Sequence, residues 1–286
     1  MSSMPLVEIE DLRIAFPREG GDRIEVVKGV SYSLGREKLG IVGESGSGKS
    51  LSARALMGVL PTHASVSAKA LRFDGIDLES ASARMRRRLR GGRMSMILQD
   101  PKFSLNPVLR VGTQIVEAIR IGDRRLSGSV CRRRALDMLE AVHIRAPERV
   151  LDLYPHQLSG GMGQRVMIAM MMARAPDLLV ADEPTSALDV TVRNQVLSIM
   201  NELVERRGMG LIFISHDLRL VSRFCDRVLV MYAGRVVETL RAGELQSARH
   251  PYTKGLLACL PSIDGPLEPL PVLQRDAKWA SPETSP

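Results

Sequence analysis

The 286-residue sequence predicts an α/β fold, and three observations carry that prediction. Leu39 to Gly43, Met94 to Leu98, Leu178 to Ala181 and Leu211 to Ser215 are short apolar runs. Each suits a strand buried on both faces of a mostly parallel sheet, with helical patterns between. Val7 to Phe16 and Ile24 to Leu34 alternate around Gly20-Gly21, which predicts an antiparallel β region ahead of that sheet. From Gln99 to Ser159 the strand signals stop, and Val111 to Arg120 and Val130 to Val142 read as amphipathic helices. An inserted all-helical subdomain over about residues 100–159 is therefore expected. Six of the sixteen prolines fall between Pro261 and Pro286, so residues 261–286 are expected to form an extended, partly disordered tail after a single domain over residues 1–260. No internal repeat is present.

Composition narrows the function classes. Five Phe, four Tyr and one Trp leave the core to Leu, Val, Ile, Ala and Met, and argue against stacking platforms for single-stranded nucleic acid. The net charge of +8 is concentrated in Arg84, Arg86, Arg87, Arg88, Arg90 and Arg93, and in Arg132 to Arg134. Such runs usually form solvated helix faces, with a membrane-proximal face as the second reading and nucleic acid as the third. Cys131, Cys225 and Cys259 form no metal-spaced pair, which fits a reducing compartment. No basic-then-apolar leader opens the chain, and the longest apolar stretch, Val166 to Ala173, is far short of the ~20 residues of a spanning helix. A protein neither secreted nor itself transmembrane is expected.

The most specific local signal is Gly43-Glu44-Ser45-Gly46-Ser47-Gly48-Lys49-Ser50. It matches the phosphate-loop pattern of Gly, four residues, Gly, Lys, and Ser or Thr. The glycines let the backbone turn tightly so that successive N–H groups face an anion. Lys49 can reach the β and γ phosphates, and the Ser50 hydroxyl is placed for Mg²⁺. An apolar strand precedes the loop and Ser50 to Val59 has helical composition, so the anion faces a helix N-terminus. ATP or another nucleoside triphosphate is the implied ligand, and a P-loop NTPase core the implied fold.

A second constellation lies downstream. Leu178 to Val180 leads into Ala181, Asp182 and Glu183, an apolar strand ending in two carboxylates. Asp182 can hold Mg²⁺ directly or through water, and Glu183 can polarise an attacking water. Leu158-Ser159-Gly160-Gly161 opens a helical stretch from Met162 to Arg174, giving either a second anion site or an ordinary N-cap. Met162, Met167, Met170, Met171 and Met172 crowd that stretch, where core packing is favoured over an adaptable partner surface.

Taken in order, these strings resemble the ATP-binding subunits of ABC transporters, over nearly the whole chain from about Val7 to Leu260. Gly43 to Ser50 matches the Walker A loop, Gln99 the Q-loop and Leu158 to Gln164 the signature. Leu178 to Glu183 matches Walker B, Ser186-Ala187-Leu188-Asp189 the D-loop, and His216 the switch histidine. The resemblance implies that Glu183 is the general base, that His216 contacts the γ-phosphate, and that Gln99 joins Mg²⁺ and the attacking water to a transmembrane partner. It also implies a head-to-tail pair of ATPase subunits. Ser159, Gly160, Gly161, Gln164 and Asp189 of one would then complete the ATP site of the other. Phe16 is the candidate to stack on adenine, with a plain core role as its alternative.

Gln99-Asp100-Pro101-Lys102-Phe103-Ser104-Leu105-Asn106-Pro107 and His250-Pro251-Tyr252-Thr253-Lys254 resemble the dipeptide, oligopeptide and nickel importer branch. That likeness implies import of peptides, with nickel or another small solute as the alternative. It also implies membrane permease subunits, an extracytoplasmic binding protein, a related second ATPase chain ahead of a homodimer, and a place on the cytoplasmic face of a bacterial inner membrane. Two departures stand out. Gly163 occupies a signature-helix position where relatives commonly carry a longer side chain, and no Cys follows Cys259, so no C-terminal iron–sulfur site is expected. A soluble ABC ATPase acting on nucleic acid or ribosomes would use the same loop but leaves the importer-like strings unexplained. A phosphotransferase kinase leaves the signature and the His216 region unexplained as well.

Overall fold

The structure, a computed structural model, describes residues 4–18, 20–98, 104–123, 125–186, 188–260, 276 and 279. Gln99, residues 100–103, Ala187 and all of the tail after 260 except Asp276 and Trp279 lie outside the described residues. The chain divides into two compact units, Met1–Ala81 with Ile212–Pro286, and Ser82–Leu211.

The first unit opens with the antiparallel pair β1 (Val7–Pro17) and β2 (Arg23–Leu34), in which Val7 stands opposite Leu34 and Phe16 opposite Ile24. The buried residues of β1 change parity along the strand, from Val7 and Ile9 to Leu12 and Ile14. Simple alternation would turn the second pair outward. An irregularity in register between Ile9 and Leu12 keeps both pairs on the buried face. Asp11 takes a φ of +50° there, and its N–H is held by Ser31 Oγ at 2.9 Å. Next come β3 (Lys38–Val42), four of whose five residues are buried, and helix α1 (Lys49–Met57). Three short strands follow, β4 (Ser65–Ser67), β5 (Ala70–Phe73) and β6 (Ile76–Asp77), giving a sheet of order β2-β1-β5-β6 with β4 also on β1.

The second unit starts with α2 (Ala83–Gly92), capped by Ser82 Oγ, which accepts the Met85 N–H at 3.2 Å. Its arginines at 84, 87 and 88 are exposed while Leu89 is buried, a solvated basic face over one apolar anchor. Strand β7 (Met94–Ile97) is followed by helices α3 (Val111–Gly122), α4 (Gly128–Ala141) and α5 (Pro147–Leu151). Val111, Ile115 and Ile119 of α3, and Cys131, Ala135 and Leu139 of α4, form buried stripes at four-residue spacing. Helix α6 (Gly160–Met172) buries Met167 and Met172 in the core and leaves Met162, Met170 and Met171 partly exposed. Strand β8 (Leu178–Asp182) is wholly buried and parallel to β7, with Met94 opposite Leu178, and helix α7 (Val190–Arg207) leads to β9 (Gly210–Ile214). Within this unit β8 pairs with β7.

The unit boundary falls within β9, and from Ile212 onward the chain belongs to the first unit again. There Ser215 N–H reaches Ile41 O at 3.2 Å. Helix α8 (Leu218–Phe224) precedes β10 (Arg227–Tyr232) and β11 (Arg235–Arg241), and α9 (Pro251–Ala258) follows. Strand β10 runs parallel to β3 and antiparallel to β11, giving the order β11-β10-β3-β9.

A buried polar knot fixes α9. The Glu238 carboxylate on β11 accepts the N–H of Arg249 at 2.6 Å and that of His250 at 3.3 Å, and His250 Nδ1 accepts the Tyr252 N–H at 3.2 Å. Burial lowers the His250 pKa from its ordinary 6.5, with Glu238 opposing. The folded chain therefore binds fewer protons here than the unfolded chain. The stability this contributes is complete above 6.5 and is lost as pH falls through the folded value. The melting temperature should fall on acidification from about pH 7.5 to about pH 5.5. His250→Asn, which keeps a capping acceptor, should show a shallower fall in the same thermal scans.

Candidate functional site

In the first unit the phosphate loop begins where β3 ends. Gly43, Gly46 and Gly48 have φ of +150°, +81° and +95°. A Cβ on Gly43 would stand 2.1 Å from the Met231 carbonyl oxygen and 2.9 Å from Ser47 Oγ, so this turn requires glycine for space as well as for conformation. Gly48 is the N-cap of α1 in a left-handed conformation and, as a glycine, makes no side-chain cap hydrogen bond. Lys49 is only 6% exposed, and its Nζ donates to Gly43 O at 2.8 Å, to Glu44 O at 2.7 Å and to Ser47 Oγ at 3.5 Å. The ammonium is thus buried among the loop's own oxygens, which a phosphate oxygen can replace. Ser50 is half-buried and Ser45 and Gly46 are exposed, so the loop is open on one side. His216 is exposed after β9, and the neighbouring Asp217 caps α8 by accepting the Leu220 N–H at 3.0 Å. Phe16 is half-buried in β1, its ring 5.7 Å from that of His63 and tilted by 60°.

In the second unit Asp182 ends β8 at 4% exposed, and Glu183 follows with a φ of +48°. A left-handed backbone at a glutamate is unfavourable and marks a turn held by its surroundings. Ser186 holds it, donating its hydroxyl to Glu183 O at 3.2 Å. Ser159 and Gly160 are exposed at the start of α6, where Ser159 Oγ accepts the Met162 N–H at 3.3 Å. The N-cap reading and the anion-site reading of this serine are compatible, because a cap satisfies one donor and leaves others open. Asp189 caps α7, accepting the Val192 N–H at 3.0 Å.

Two contacts tie the Ser159 segment to the turn after β8. Gln164, 1% exposed, donates its Nε2 to Pro184 O. Gly161 lies so close to α7 that a Cβ on it would come within 2.6 Å of Val192 Cγ1. Gly163, itself buried, lines a cavity of about 660 Å³ with Leu105, Pro107, His156, Ser159 and Gly160. A second cavity, of about 870 Å³, lies over α3 to α5 and carries Arg110, Glu117, Arg120, Arg132 and Asp152 on its walls. Among the described residues no cluster of His, Cys, Asp or Glu could hold a metal ion by itself, and no helix is long and apolar enough to cross a membrane.

With this geometry the comparisons with known proteins agree. A family model described as ABC transporter matches residues 27–186. The chain belongs to the ABC transporter ATPase family. It is 48% identical over 262 residues to the dipeptide transport ATP-binding protein DppD of Escherichia coli (strain K12), covering 91% of this chain and 80% of that one. It is 44% identical over 262 residues to the oligopeptide transport ATP-binding protein OppD of Bacillus subtilis (strain 168), covering 91% of this chain and 73% of that one. Among solved structures it is similar to a dimeric bacterial ABC transporter cassette, MJ0796, at a TM-score of 0.73 and 26% identity over 82% of this chain and 98% of that one. The post-hydrolysis state of that cassette, bound to ADP and Pi, gives a TM-score of 0.72 at 27% identity, with the same coverage. Membership carries ATP binding and ATPase activity in a membrane transporter with it.

The sequence marks candidate residues by their motifs but carries no mark of the contacts that support them. The Gln164 to Pro184 bond, the Gly161 to Val192 contact and the Glu238 carboxylate under α9 have no local signature, since each joins one element to another rather than neighbours along one element. The Gly161 contact is testable by a mutant cycle in this ABC cassette. Gly161→Ala should lower the unfolding free energy by roughly 1–2 kcal/mol through the clash. Adding Val192→Ala should recover part of that loss, measured against Val192→Ala alone in denaturant titrations.

Proposed function

We propose that this chain is the ATP-hydrolysing subunit of a multi-subunit ABC importer for dipeptides or oligopeptides. The observation that carries the reading is the phosphate loop, whose glycine-dependent turn and buried Lys49 suit a triphosphate, within a chain 48% identical to a dipeptide transport ATP-binding protein. Residues Gly43 to Gly48 cradle the phosphates with backbone N–H groups, and Lys49 exchanges its loop carbonyls for phosphate oxygens. Ser50 and Asp182, with Gln99, offer hard oxygen donors of the kind Mg²⁺ takes, and that ion neutralises phosphate charge when bound. Glu183 accepts a proton from the attacking water, and His216 senses the γ-phosphate. Phe16 supports the adenine ring.

Ser159, Gly160, Gly161 and Asp189 close over the ATP of a second ATPase subunit, with Gln164 bracing the turn beneath them. A related but different chain is the preferred partner over a second copy. Phosphate contacts from both subunits favour the closed pair, and loss of the γ-phosphate removes the differential affinity that held it closed. The residues from about 100 to 159 form the helical subdomain that meets the permease, and the charged cavity over α3 to α5 supports such a face. The complex works at the cytoplasmic face of a bacterial inner membrane, fed by an extracytoplasmic binding protein. Nickel or another small solute is the second reading for the cargo, carried by the two branch-like strings alone.

Glu183→Gln should reduce ATP turnover of the assembled transporter by at least ~100-fold while ATP affinity stays within about twofold, as measured by phosphate release and by ATP titration. Turnover near the wild-type rate would remove Glu183 from the role of base. Retention of di- and tripeptides, rather than nickel, by the cognate binding protein would decide the cargo.

A further inference from the structure

In the string from His250 to Lys254, His250, Tyr252 and Thr253 are buried, and Tyr252 is wired to the phosphate loop. Tyr252 is 0% exposed, and its hydroxyl accepts the N–H of Glu44 at 3.0 Å across 208 residues of sequence. The opposite face of the neighbouring peptide group is also occupied, because Glu44 O accepts Lys49 Nζ at 2.7 Å. Glu44 is therefore gripped from both ends, by a tyrosine hydroxyl at its N–H and by the loop lysine at its carbonyl. The tyrosine itself has little freedom. Its backbone N–H is fixed by His250 Nδ1, the backbone N–H of His250 is in turn fixed by Glu238, and its ring lies 4.5 Å from the ring of Tyr232. Tyr232 directly follows Met231, whose carbonyl oxygen is what a Cβ on Gly43 would strike. Trp279, the single tryptophan of the chain, lies 5.9 Å from the Tyr232 ring and 6.1 Å from the Tyr252 ring.

We infer that Tyr252 is a positioning residue for ATP, holding the entry of the phosphate loop through the Glu44 N–H, and that Trp279, whose ring lies against those of Tyr232 and Tyr252, senses the state of the loop through them. This rests on the reading of Gly43 to Ser50 as the ATP site. The physical need arises when ATP arrives. Lys49 then turns from Glu44 O toward phosphate, leaving that carbonyl to the Ser47 N–H at 3.2 Å, while Tyr252 still holds the Glu44 N–H. Without its hydroxyl the first turn of the loop can rotate, and the N–H groups downstream lose their alignment on the phosphates. A tyrosine whose role was only to fill the core would matter equally with and without nucleotide.

The test uses the full-length chain titrated with Mg²⁺-ATP, followed by calorimetry and by Trp279 emission. Wild type should bind, with a change in Trp279 emission on saturation. Tyr252→Phe, which keeps the ring, should weaken ATP binding by roughly 3–10-fold, the range of one hydrogen bond, and should reduce the emission change. Thr253→Val, in the same helix and also fully buried, should bind ATP with wild-type affinity. Tyr252→Phe binding at wild-type affinity would overturn the positioning role while leaving the ATP site intact. Equal weakening by Thr253→Val would overturn it too, since the effect would then belong to helix packing at large. An emission spectrum indifferent to ATP in wild type would overturn the coupling to Trp279, a result that does not depend on how any variant folds. Failure of wild type to bind ATP at all would overturn the reading of the loop itself, and the inference with it.

Discussion

The arrangement around Lys49 constrains the first unit more than any other single feature. An ammonium that is 6% exposed must be compensated, and here the compensation comes from two carbonyls and a hydroxyl of the loop that precedes it. For those oxygens to converge, the backbone must turn back on itself between Gly43 and Gly48. That turn is possible only with glycine where the Met231 carbonyl crowds the chain and where φ is positive. The loop thus depends on β10 being parallel to and beside β3, because Met231 belongs to β10. A local motif of eight residues has a requirement that is met by a strand nearly two hundred residues away.

The same logic orders the second unit. The unfavourable backbone at Glu183 needs a turn that cannot relax, and Ser186 closes that turn. Gln164 then ties the turn at Pro184 to α6, and the close approach of Gly161 to Val192 ties α6 to the helix that Asp189 caps. Ser159, Glu183 and Asp189 stand at the ends of elements bolted to one another, so a displacement of one is transmitted by packed atoms to the others. Buried side chains with hydrogen bonds to backbone carbonyls suit this task, since leaving such a group unpartnered costs more than the bond contributes when made.

How much of this was legible in the sequence follows from how local each signal is. The phosphate loop, the strand-end carboxylates and the four buried runs are each written within about ten residues, and β3, β7, β8 and β9 lie where those runs lie. The β1–β2 pair was legible as well, but its bulge was not. A change of parity between Ile9 and Leu12 looks like noise until the partner strand is present to define a face. The crowding of methionine on α6 was ambiguous by composition, and burial assigns Met167 and Met172 to packing. Phe16 stayed open between stacking and packing because a half-exposed ring beside His63 serves both. The role of Tyr252 was illegible in principle, since no spacing rule links residues 44 and 252.

That last gap has a general physical cause. Motifs recur because a ligand of fixed shape imposes a fixed spacing, whereas the atoms that hold a motif in place answer only to the space behind it. The Glu44 N–H needs some acceptor, and a backbone carbonyl, a water or a hydroxyl would satisfy it equally by hydrogen-bond count. A buried tyrosine differs from the first two in being attached to a rigid ring inside a fixed core, so it sets a direction as well as a partner. The Glu238, His250 and Tyr252 chain supplies that direction from β11, an edge strand that carries none of the motif residues. Support of this kind fixes the Glu44 N–H independently of the oxygens that Lys49 holds.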